Sequence, residues 1–106
     1  MGGCKLKENN LLWIQSFYLS VCKKLNLEEN EYDYDITITT CDNPGWIVTI
    51  DLEDIGISNK EFKKIFYDKG KEDWLSCKVE NNVFIGAGDS TKLDIIIQAF
   101  RDWIEQ

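Results

Sequence analysis

The chain has 106 residues, with 19 Asp and Glu against 12 Lys and Arg, no His, four Cys and one Pro, for a net charge of −7. That length makes one domain, and a hydrophobic share of 43% that includes four Trp, four Tyr and five Phe supplies one ordinary core, which excludes a disordered chain. Without histidine there is no Ser-His or Cys-His catalytic arrangement and no His-containing zinc site.

The charge is unevenly placed. Residues 25–59 hold no Lys or Arg and nine acids: Glu28, Glu29, Glu31, Asp33, Asp35, Asp42, Asp51, Glu53 and Asp54. The other 71 residues hold 12 bases and 10 acids, a net +2. Backbone affinity for nucleic acid comes from Lys and Arg neutralising phosphates, so a chain whose basic groups are short runs such as Lys23-Lys24 is not expected to bind nucleic acid directly. Met1 to Leu12 has no apolar signal core, and no run is long enough to span a membrane. The expectation is a cytoplasmic chain with four free thiols: Cys4, Cys22, Cys41 and Cys77 form no C-x-x-C pair. Gly2-Gly3-Cys4 lacks the Ser or Thr that a myristoylation signal places at position 6, which here is Leu6.

Residues 1–8 read as a flexible N-terminus and residues 9–106 as one domain. Asn9 and Asn10 are candidate N-caps of a helix running to about Leu25. Leu11, Ile14, Tyr18, Val21, Cys22 and Leu25 recur at helical spacing as its core stripe, widened by Trp13 and Phe17. From Tyr32 the period becomes two: Tyr32, Tyr34, Ile36, Ile38 and Thr40 on one face, Asp33, Asp35, Thr37 and Thr39 on the other. Cys41-Asp42-Asn43-Pro44-Gly45 is a turn, Pro pre-setting φ and Gly allowing positive φ. Trp46, Val48, Ile50 and Leu52 then alternate inward against Ile47, Thr49, Asp51 and Glu53 outward, completing an antiparallel hairpin with one buried face.

Residues 57–70 read two ways. Ser58-x-x-Glu61 has the form of a capping box ahead of a helix ending at Gly70, whereas Ile65-Phe66-Tyr67 is a good strand core. Leu75, Cys77 and Val79 alternate, Asn81-Asn82 suits a two-residue type I′ turn, and Val83 to Gly86 returns as the next strand. Asp89, Ser90 or Thr91 caps a last helix whose stripe is Leu93, Ile96, Ile97, Phe100 and Trp103/Ile104. The fold class expected is α+β: a single antiparallel sheet of about five strands with the N- and C-terminal helices packed on one face.

Several blocks carry a family resemblance. Asn10 to Cys22 (NLLWIQSFYLSVC) resembles the opening helix of the bacterial immunity protein 53 family, and Thr39 to Leu52, with its D-N-P-G-W turn, is similar to that family's most recognisable segment. Asp73 to Glu80, Phe84 to Gly88 and Leu93 to Trp103 resemble its later strands and closing helix, so the likeness runs from about Asn9 to the end. The chain departs from it over Lys23 to Asp33: of a Trp-Glu-His group only Glu31 matches, with Asn30 and Tyr32 in the other two places. The resemblance favours a strand over a helix at Ile65 to Lys69. It implies a cytoplasmic, non-enzymatic immunity protein that binds and neutralises the toxin encoded beside it; no cofactor, metal site or membrane contact is expected.

The charge pattern leads to a compatible surface. Pairing inward residues with inward ones sets Thr40 opposite Trp46, Ile38 opposite Val48 and Tyr34 opposite Leu52; outside, Thr37 meets Thr49, Asp35 meets Asp51 and Asp33 meets Glu53. Like charges directly opposed cost roughly 0.2–1 kcal/mol per pair. A basic partner, for instance a toxin that attacks nucleic acid, relieves that repulsion and is steered in faster. The candidate partner-binding residues are Glu31, Asp33, Asp35, Asp42, Asp51, Glu53 and the outward-pointing Trp74, an aromatic anchor. The plainer alternatives are a solubilising acidic face and a general acidic adaptor domain. A calcium site lacks a D-x-D-x-D-G loop, and Gly86-Ala87-Gly88-Asp89-Ser90-Thr91-Lys92 lacks the Walker A ending and reads as a tight strand-to-helix turn. A thiol enzyme such as a sulfurtransferase needs a cation-activated Cys, whereas Cys22 and Cys77 lie on core faces and Cys41 in an acidic turn.

Overall fold

The computed structural model describes residues 9–28, 34–53, 55–57 and 60–106. The elements are α1 (Asn10–Glu28), β1 (Ile36–Cys41), β2 (Gly45–Asp51), β3 (Ile65–Asp68), β4 (Trp74–Glu80), β5 (Val83–Asp89) and α2 (Leu93–Glu105). The strands form one antiparallel sheet in the order β1-β2-β5-β4-β3, with the two terminal helices on one face, as the α+β reading expects. The N-terminal residues 1–8 lie outside the described residues.

Local chemistry accounts for most element boundaries. The Asn9 side-chain oxygen accepts the Leu12 N–H at 2.9 Å, a helix N-cap, so Asn9 and not Asn10 caps α1. Asn81 and Asn82 take φ of 53° and 63°, the left-handed pair that a type I′ turn between β4 and β5 requires. Residues 65–68 are strand, not helix; Gly70, at φ 121°, turns the chain from β3 to β4 and is not a helix C′ residue. Its N–H is held by the Asp68 carboxylate at 3.0 Å. Ser58, the first residue of the supposed capping box, lies outside the described residues.

The core is a chain of rings and aliphatic groups between the helices and the sheet. Phe17 of α1 meets Phe100 of α2 edge-on at 5.3 Å, and Phe100 meets Phe84 of β5 at 5.1 Å. Phe62 closes the far side against Phe84 at 5.5 Å and Trp103 at 5.3 Å. The α2 stripe is as expected, with Ile96, Ile97, Phe100 and Trp103 buried. That of α1 is narrower: Ile14, Val21 and Leu25 are buried, but Leu11 is 62% and Tyr18 45% exposed. The reason is lateral placement. α1 rests on α2, and its Tyr18 lies beside β1 at the edge of the sheet, where no described element lies over it.

Two glycines set how closely α2 approaches. A Cβ on Gly86 would lie 2.4 Å from Ile96 Cγ2, and one on Gly88 2.6 Å from Lys92 Cβ. Both belong to β5, which runs on to Asp89, so the Gly86-Ala87-Gly88 stretch is strand and not turn. Gly45 likewise has no positive φ; it opens β2, where a Cβ would lie 2.4 Å from the Gly88 carbonyl oxygen.

Candidate functional site

The hairpin register is the expected one, Thr40 against Trp46, Ile38 against Val48 and Thr37 against Thr49. It carries on past the strand ends, because the Asp51 N–H donates to the Asp35 carbonyl at 3.2 Å. Asp35 and Asp51 therefore do face each other. Asp35 is exposed, while Asp51 is half-buried and its Oδ1 accepts the Glu53 N–H at 3.0 Å. That bond turns the chain out of β2, so Glu53 is exposed beyond the strand and not a ladder position. Glu31 and Asp33 lie outside the described residues.

The register also shows where the acids sit on the open face of the sheet. One row across all five strands reads Thr39, Ile47, Ala87, Ser76 and Phe66, and its neighbour reads Thr37, Thr49, Ile85 and Lys78. Lys78 is the one charge in these two rows and pairs with Glu80 at 3.6 Å. Asp35 and Asp51 continue into Val83 and Glu80 at one end of the face. Asp42, in the β1–β2 turn, and Asp68, opposite Trp74, stand at the other end. The expected residues are thus split between two ends of a band whose one charge is Lys78. Trp74 points outward as its alternation requires but is half-buried, its ring 3.1 Å from where a Gly45 Cβ would stand.

The inner face of β1 is a correction. Ile36, Ile38 and Thr40 share the expected face, but only Ile36 is half-buried; Ile38 is 39% exposed and Thr40 is exposed. β1 is a sheet edge that the two-helix layer does not reach. Between it and α1 runs a groove of about 300 Å³, lined by Ile14, Tyr18, Tyr34, Ile36 and Ile38 with Asp35 at its rim.

Two polar networks brace the scaffold. Asp89, only 1% exposed, accepts the Trp74 N–H at 2.9 Å, the Thr91 N–H at 2.8 Å and hydroxyl at 2.6 Å, and Lys92 Nζ at 2.6 Å. Lys92 also meets Asp73 at 3.0 Å. Burial pushes the Asp89 carboxyl up, but the bonds from Lys92, Thr91 and Trp74 outweigh it and hold the group well below the usual carboxylate range. The Asp89 and Asp73 bonds hold Lys92 well above the usual ammonium range against its burial. None of Asp89, Ser90 and Thr91 caps α2, whose N-cap position is Lys92 with no side-chain cap bond; Asp89 instead ties the turn to β4. In the second network, Asn10 donates to Asp94 Oδ1 at 3.1 Å and Gln98 Oε1 at 3.0 Å and accepts from Arg101 Nη1 at 3.1 Å. Sequence reading missed Asn10 in this role. The signal was there, a polar residue where the α1 core stripe begins, but its partners lie more than 80 residues away.

Cys22 and Cys41 are half-buried free thiols, and Cys77 is a fully buried one whose pKa desolvation pushes up to about 11. Among the described residues no group of three or more His, Cys, Asp or Glu side chains converges as a metal cage. Among the described residues no helix is long and apolar enough to cross a membrane.

Fold and surface together define a two-layer α+β module with a sheet face that no described element covers and acids at that face's ends. The chain belongs to the immunity protein 53 family, whose model matches residues 11–105. No curated protein matches the chain. No solved structure matches it either. Membership of an immunity protein family carries a toxin-neutralising role and a cognate toxin as partner.

Proposed function

We propose that this protein binds the toxin domain of a bacterial polymorphic toxin in the cytoplasm of the producing cell and neutralises it by stoichiometric occlusion. It acts as a non-enzymatic inhibitor that uses no cofactor, metal or nucleic acid. The observation that carries the surface assignment is Asp35 facing Asp51 at the base of the hairpin, with Glu53 just beyond, in a stretch without Lys or Arg. Opposed carboxylates repel each other and are relieved by a cationic partner, so the toxin is basic, as a nuclease that grips phosphates is. The acids at the two ends of the open face steer encounter, and the largely uncharged rows with Trp74 beside them supply contact area. Glu31 and Asp33 extend this acidic end in the sequence.

Co-expression with the toxin domain encoded beside this gene tests the reading. A one-to-one complex and restored growth are expected; no complex and no rescue refute it. Asp35→Lys with Asp51→Lys is expected to slow association at least tenfold at low salt and to flatten its salt dependence, read by stopped-flow or surface binding. Unchanged kinetics move the interface away from the hairpin base.

A further inference from the structure

The uncovered edge of β1 has a directional chemistry of its own. The Asp51 N–H donates to the Asp35 carbonyl, so Asp35, Thr37, Thr39 and Cys41 turn their N–H and C=O groups toward β2. Ile36, Ile38 and Thr40 turn theirs away, to the free side, where among the described residues no strand pairs with them. The side chains of these same three residues lie on the inner face, beside the groove lined by Ile14, Tyr18 and Tyr34. Tyr18 and Tyr34 stack at 6.2 Å to form its wall. One line of residues thus presents backbone bonding groups sideways and an apolar trough beneath.

We propose that this edge takes an extended segment of the toxin as a sixth strand. The inference rests on the toxin-binding reading above and gives it a docking mode. Partner residues opposite Ile36, Ile38 and Thr40 direct their side chains to the same face as those three, so alternate apolar side chains of the segment enter the trough. The ends decide the occupant. The bonding edge is uncharged from Ile36 to Cys41 and is bounded by Asp35 and Asp42. A second copy of this chain, paired antiparallel about Ile38, would bring its own Asp35 to within one residue of the first copy's Asp42 at both ends, setting acid beside acid. A segment with Lys or Arg about seven positions apart, roughly 23 Å in a strand, meets both carboxylates instead. Charge complementarity therefore selects a basic extended segment over self-pairing. It also gives Asp42, which the open-face geometry leaves apart from Asp35, a shared task with it.

The test is amide hydrogen exchange followed by NMR, on the full chain alone and with the catalytically inactivated toxin domain encoded beside the gene. The amides of Ile36, Ile38 and Thr40 are expected to slow at least tenfold in the complex, while those of Thr37 and Thr39, already bonded to β2, change little. Ile38→Lys, a substitution at a position exposed enough to leave folding intact, is expected to weaken the complex at least tenfold; Ile95→Lys, at an exposed position of α2 on neither the open sheet face nor the β1 edge, is expected to leave it within twofold. A complex that forms with the three β1 amides unprotected overturns the added-strand mode and leaves toxin binding standing. If no complex forms, the toxin-binding reading falls and takes this one with it.

Discussion

Asp89 and Lys92 close the turn between β5 and α2 with an ion pair of 2.6 Å, and the same carboxylate holds the Trp74 N–H of the neighbouring strand at 2.9 Å. A carboxylate that anchors two elements at once makes stability depend on its ionisation. Its folded pKa is lowered, so its contribution is complete above the unfolded value of about 3.9 and declines as pH falls toward the folded value. Lys92, with a raised pKa, contributes fully below about 10.4 and declines only as pH rises through its folded value. The stability gap between the native chain and Asp89→Asn is therefore expected to be flat from about pH 5 to 9 and to narrow progressively below about pH 4. Urea unfolding of both chains at pH 7, 4 and 2.5 checks this, and a gap independent of pH would contradict the pairing.

The close seat of α2 on β5 predicts a coupled pair. Gly86→Ala drives a methyl group into Ile96 and is expected to destabilise by about 1–3 kcal/mol despite the better strand propensity of Ala. Trimming the obstacle with Ile96→Ala costs about 2–5 kcal/mol alone, but the double variant is expected to lose less than the two losses together. A double-mutant cycle by denaturant titration measures the coupling, and simple additivity would show that the contact is not what requires glycine.

Asn10 is the sole side chain placed to bond Asp94, Gln98 and Arg101 together among the described hydrogen bonds. Asn10→Ala leaves the buried Arg101 with one hydrogen-bond partner fewer and is expected to cost about 1–3 kcal/mol. Asn9→Ala, which removes the adjacent N-cap, is expected to cost about 0.5–2 kcal/mol. Thermal melts of both variants compare a bond between helices with a bond within one.

Cys77 is expected to resist modification. A thiol pushed up to about 11 and buried at 0% exposure carries almost no thiolate near neutral pH, and a reagent cannot reach it. Iodoacetamide at pH 7.5, read by mass spectrometry, should label the half-buried Cys22 and Cys41 before Cys77, with Cys77 reacting only on unfolding. Fast native labelling of Cys77 would reopen the thiol-enzyme alternative.

What could be read without the fold was whatever depends on neighbours in the chain. The period-two runs and the Asp42-to-Gly45 turn determined the hairpin register, and Asn81-Asn82 determined a type I′ turn, because both are consequences of local backbone geometry. The α2 stripe was legible for the same reason: thirteen residues with one strongly apolar side admit one orientation. The charge polarity of residues 25–59 is a property of the sequence itself. Only the tertiary structure decided the rest, since burial depends on which layer lies overhead. Tyr18 and Ile38 have core-like spacing but look out over an edge that the two helices do not cover. Gly88 looks like a turn residue, yet it continues the strand of Gly86, and at both positions α2 needs the space a Cβ would fill. Asp89 has the sequence of a helix cap and instead bridges strand, turn and lysine, a role fixed by groups 15 and three residues away in sequence that the fold brings to 2.9 and 2.6 Å.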